Sequence, residues 1–120
     1  MQTVTLEKGY ILFRQGSASS EAYLVKEGNV DVYTEQHDGN RYVLAQIGPG
    51  EVVGEMALLQ DKDHSATARI TQDSVLIPIK RSDLHNKYED SDPVLKQIIY
   101  CLVNRLHKAN VELAKYKQKE

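Results

Sequence analysis

The fold class predicted for this sequence is mainly β with α: an antiparallel β-roll with one short internal helix and C-terminal helices. Three observations predict it. Up to about residue 80 the apolar residues come in short runs separated by glycine, too short for helices and suited to strands. An Asp38-Gly39 pair stands between two β-rich runs, which is a hairpin signal. From Pro93 onward, apolar residues recur with a helical period.

Taken in order, residues 3–6 form a short extended run, and Glu7-Lys8-Gly9 a turn. Residues 10–14 form an apolar strand that ends in the small polar residues 15–20. Residues 22–26 and 30–36 are expected as two strands flanking a tight turn at Glu27-Gly28-Asn29, where Gly28 supplies a positive φ. Within the second, Val30, Val32 and Thr34 alternate with Asp31, Tyr33 and Glu35, as in a half-buried strand. The hairpin at 37–40 leads to a strand at 41–47, and Gly48-Pro49-Gly50 breaks the next connection. Residues 64–71 and 75–79 are expected as closing strands around a turn at 72–74, with Pro78 at an edge position. Ser82 can cap a short helix to about Tyr88. Ser91-Asp92-Pro93 is a stronger start signal, because Asp caps and Pro fits the first helical position.

At 120 residues, 41% hydrophobic and 27% charged, the chain suits one compact domain with its own core. No run is long enough to cross a bilayer and no signal pattern opens the chain, so a cytoplasmic protein without a membrane partner is expected. Cys101 has no partner for an internal disulfide and reads as a small hydrophobe. The net charge of -2 is unevenly placed: residues 1–91 hold 9 Lys/Arg against 14 Asp/Glu, and residues 92–120 hold 6 against 3. The basic tail lacks interleaved aromatics and a recognition-helix pattern, so it reads as a solvated helix face, with no DNA partner. His37, His64, His85 and His107 are scattered without ligand spacing, and no nucleophile has a base nearby. Neither an enzyme nor a metal site is expected.

The informative stretch is 52–69. It runs from an apolar segment through Gly54 into Glu55-Met56-Ala57-Leu58-Leu59, then through the charged loop 60–64 into alternating residues. A glycine opening a short helix leaves free N–H groups that favour an anion such as phosphate. With Ser65-Ala66-Thr67 at a fixed distance, the block 54–58 resembles the phosphate-binding cassette of cyclic-nucleotide-binding domains of the catabolite-activator and protein kinase A regulatory-subunit type. Gly9, Gly16, Gly28 and Gly48 stand at that family's turn positions, and the resemblance covers nearly the whole chain.

The resemblance implies a jelly-roll-like double-stranded β-helix over residues 1–91, with the cassette at 53–66, followed by a lid or dimerisation helix at 92–120. It implies that Gly54, Met56, Ala57 and Ser65 hold a cyclic phosphate, that Glu55 takes the ribose 2'-hydroxyl, and that Leu58 relays the change. No other cofactor is implied beyond the ligand, cAMP or cGMP. The family places an Arg where this chain has His64. Imidazole lacks the permanent charge and the fork of a guanidinium, so weak binding is expected. The alternative is an interaction module on the same scaffold that binds no nucleotide.

The last helix supports both. Leu95, Leu102, Ala109 and Tyr116 recur every seven residues, with Ile99, Leu106 and Leu113 at the complementary offset. That stripe fits a parallel homodimer, or a separate effector protein, or packing on the chain's own roll. The resemblance also brings Asn110 near the level of the base, where its amide can donate and accept.

Overall fold

The computed structural model describes residues 2–118, and within them the side chains of all but 110 and 113–118. The elements are β1 (Val4–Leu6), β2 (Ile11–Phe13), β3 (Glu21–Glu35), β4 (Arg41–Ile47), β5 (Val52–Val53), α1 (Glu55–Gln60), β6 (Thr67–Lys80), α2 (Arg81–Glu89) and α3 (Pro93–Gln118). The chain divides into two compact units, Met1–Leu84 and His85–Glu120.

In the first unit the strands form a sheet in the order β1-β6-β3-β4, with β2 also on β6 and β5 on β3. Every pairing is antiparallel. The expected roll is therefore present. Its core is Val25, Val30, Val53, Ala68, Ile70 and Leu76, and Val4, Leu6, Leu12, Phe13, Tyr23, Val32 and Ile47 pack around it. Each fully buried Val, Ile or Leu contributes about 1.5–3 kcal/mol, so this cluster is the main source of the unit's stability.

Two expected turns are absent. Residues 22–26 and 30–36 belong to the single strand β3, and 64–71 and 75–79 belong largely to the single strand β6. Instead of reversing, the two strands run side by side and slip register together at Val25/Glu27, Glu27/Asn29 and Asn29/Val30. Turn residues at 28 and 72–74 thus mark facing irregularities, as glycine within a strand often does. Gly28 has φ 101°, and a β-carbon there would lie 2.7 Å from Ser74 Cα. Ser74 is buried; its hydroxyl donates to the Gln72 carbonyl (2.6 Å) and accepts from the Asn29 N–H (3.1 Å). The backbones approach so closely that only glycine fits.

The alternation expected in 30–35 also fails at one point. Tyr33 is buried along with Val30, where the pairing with β4 shifts register between Val32 and Tyr33, and the Arg41 guanidinium lies over its ring at 4.8 Å. The hairpin at 38–39 forms as expected, with Gly39 at φ 84° and the Gln36 N–H on the Asn40 carbonyl. Pro78 lies in the part of β6 that pairs with β3 on one side and lies beyond the span paired with β1, which matches the edge position expected of it.

α2 begins directly at Arg81, so Ser82 is inside the helix and not its cap. α3 starts as expected: the Asp92 carboxylate accepts the Val94 N–H (2.9 Å), and Pro93 is the first helical residue. The Lys96 ammonium meets Glu89 at 2.6 Å, which ties the two helices across their junction.

Candidate functional site

β5 delivers the chain to Gly54, which is left-handed (φ 87°, ψ 2°) and precedes the first residue of α1. Two constraints select glycine here. The positive φ disfavours any L side chain. A β-carbon would also lie 3.0 Å and 3.3 Å from the Phe13 ring and 3.4 Å from His64 Cε1. No side chain caps α1 at its start. At its end Asp61 is left-handed too (φ 54°), and the N–H groups of Asp61 and Lys62 return to the carbonyls of Leu58 (3.4 Å) and Ala57 (2.9 Å).

The side chains of α1 divide by depth. Ala57 and Leu58 are buried, and Glu55 and Met56 are half-buried. Glu55 is the unusual member. Burial pushes its carboxyl above the ordinary range, offset in part by its own N–H. Among the described residues it forms no ion pair. A half-buried carboxylate without a cation needs a neutral donor, and a hydroxyl is one.

His64 is placed by its backbone and its ring. Its N–H donates to the Ser17 carbonyl (3.0 Å), and its carbonyl accepts the Gly16 N–H (2.7 Å). The side chain is 4% exposed and stacks on Phe13. Burial holds the imidazole below its usual pKa, the Arg81 guanidinium lowers it further, and Asp63 offsets this in part. The ring is therefore neutral at pH 7. Ser65 is exposed, whereas Ala66, Thr67 and Ala68 are buried, and the Thr67 hydroxyl accepts the Gln15 N–H at 2.9 Å.

The fold thus brings Gly54 and His64 together, with Glu55, Met56 and Ala57 following on α1 and Ser65 next to His64. The side chain of Asn110 lies outside the described residues, as do those of Leu113 and Tyr116 in the expected stripe. Two residues near this site were not anticipated. Phe13, the single phenylalanine, floors Gly54 and His64. Arg81 reaches Ser19 and Asp61. Among the described residues no three His, Cys, Asp or Glu side chains gather as metal ligands, and no helix is long and apolar enough to cross a membrane.

Comparison with known proteins bears on this geometry. The model of the cyclic nucleotide-binding domain matches residues 3–91. The cyclic AMP receptor protein of Thermus thermophilus is 33% identical over 106 residues, covering 88% of this chain and 49% of that protein. The chain therefore spans about half the length of that relative. Among solved structures, the EAL enzyme Bd1971 in its cAMP- and cyclic-di-GMP-bound form has a TM-score of 0.84 at 30% identity, over 92% of this chain and 29% of that one. The catabolite activator protein of Thermus thermophilus has a TM-score of 0.77 at 31% identity, over 97% of this chain and 55% of that one.

Proposed function

Because the chain belongs to the cyclic nucleotide-binding domain family, whose model spans residues 3–91, we propose that it is a regulatory sensor that binds cAMP or cGMP weakly. Glu55 carries this reading. Its half-buried carboxylate has no cation among the described residues and suits the ribose 2'-hydroxyl as donor. The cyclic phosphate sits at Gly54, Met56 and Ala57 and takes a hydrogen bond from Ser65. Leu58, buried on α1, moves with the ligand. The domain itself carries no chemistry and acts by altering what it is attached to or associates with.

Weakness follows from His64. Where the family has a charged fork, this chain has a neutral ring occupied with Phe13. Loss of a charged hydrogen bond costs about 1.5–3 kcal/mol, or about ten- to a hundredfold in affinity. The test compares cAMP with 2'-deoxy-cAMP on the wild type and on Glu55→Ala. The wild type should prefer cAMP, and the variant should lose that preference. Equal preference in both proteins would remove Glu55 from the site.

A second reading is favoured by α3, where Leu95, Leu102 and Leu106 are each about half exposed at heptad spacing. In it, the chain pairs with a second copy through this stripe. Sedimentation should give a dimer at tens of micromolar, and Leu106→Glu a monomer. A wild-type monomer at every concentration would refute pairing.

A further inference from the structure

Arg81 follows the last residue of β6 and is the first of α2. Its guanidinium donates from Nε and Nη2 to the Ser19 carbonyl (3.1 and 2.7 Å), from Nη2 also to the Ser19 hydroxyl, and from Nη1 to the Asp61 carboxylate. Its own N–H donates to the Ser20 carbonyl at 3.0 Å. The Ser19 hydroxyl in turn donates a hydrogen bond to the Lys62 carbonyl at 2.7 Å. One side chain therefore grips two loops: residues 19–20, which lead into β3, and residues 61–62, by which α1 leaves.

The two grips differ in character. Ser19 is buried, and its carbonyl receives two arms of a planar fork, which is a rigid attachment. The Asp61 side chain is exposed, and its backbone holds the left-handed conformation that ends α1, a conformation uncommon outside glycine. The Arg81 guanidinium thus links the loop that ends α1 to the loop that leads into β3, and its position depends on both. A displacement of α1 carries Asp61 and Lys62 with it, and must either break the Arg81 contacts or move the residue from which α2 starts.

We propose that Arg81 is a positioning residue that passes a change at α1 to the start of α2, a polar route beside the apolar one through Leu58. The inference rests on the cyclic-nucleotide reading above. Binding at 54–57 shifts residues 61–62, Arg81 follows Asp61, and the first turn of α2 is re-set.

Hydrogen exchange on the full chain, with and without millimolar cAMP, tests this. In the wild type, cAMP should alter exchange in peptides covering both 54–62 and 81–89. In Arg81→Gln the change should persist in 54–62 and disappear from 81–89. Asp61→Asn leaves the Ser19 grip intact and guards against a folding defect; it should also reduce the response in 81–89. A purely structural Arg81 would raise exchange in both peptides regardless of cAMP and leave the cAMP-dependent difference in place, and that result overturns the inference. No cAMP effect in the wild-type 54–62 peptide would instead refute the nucleotide reading itself.

Discussion

The imidazole of His64 lies face to face with the ring of Phe13, 3.6 Å between centroids and 10° from parallel. The pair closes the space beside Gly54, so the His64 side chain is packed against the residue that opens α1. This contact ties β2 to the loop that leads into β6.

The pH dependence of stability follows from that burial. A histidine whose folded pKa is depressed contributes stability that is fully present above its unfolded value of about 6.5, and that is lost as pH falls through the lower folded value. Urea unfolding of the wild type should therefore show a falling midpoint as pH is lowered from 7.5 to 5. His64→Gln should flatten that part of the profile. An unchanged profile would mean that the ring titrates as if exposed.

Glu55 runs the other way. Its raised pKa contributes stability present below the unfolded carboxyl value and lost as pH rises through the folded one. At pH 7, above the unfolded carboxyl value, the half-buried group opposes folding. Glu55→Gln should raise the unfolding midpoint at pH 7 while weakening cAMP binding. A variant that loses stability there would show that the carboxylate is structurally satisfied.

Glycine replacements separate two constraints. Gly54→Ala incurs the left-handed backbone, of order 1–3 kcal/mol, plus a small displacement of the Phe13 ring. Gly28→Ala meets the Ser74 backbone 2.7 Å away, which cannot rotate aside, so it should be the more destabilising of the two by thermal unfolding. The reverse order would contradict the close approach of β3 and β6.

Much of the fold was legible because its signals are local. The Asp38-Gly39 hairpin, the Asp92-Pro93 helix start and the Gly54 turn each depend on a few adjacent residues with fixed backbone preferences. The continuity of β3 and β6 was not legible, because a glycine that breaks a strand and one that bulges it look alike until the facing residue, Ser74, is known. Glu55 and His64 were visible as positions in a block. The partner that holds His64, Phe13, lies 51 residues away, and the partners of Arg81 at Ser19 and Asp61 lie 62 and 20 residues away, with no periodic pattern linking them. Such contacts arise only once the strands have paired.

Restoring an Arg at the cassette should restore affinity. His64→Arg is expected to bind cAMP about ten- to a hundredfold more tightly than the wild type at pH 7.5, by regaining a charged, forked donor. Titration calorimetry on both proteins checks this. No gain would mean that position 64 does not face the ligand phosphate.

The most direct measurement is a calorimetric titration of the wild-type chain with cAMP at pH 7.5. A domain that keeps Glu55 and Gly54 but lacks the Arg should bind with a dissociation constant above about 1 μM, within a range where millimolar ligand saturates it. Submicromolar binding would contradict the weakness assigned to His64, and no heat of binding up to millimolar cAMP or cGMP would contradict the nucleotide sensor itself.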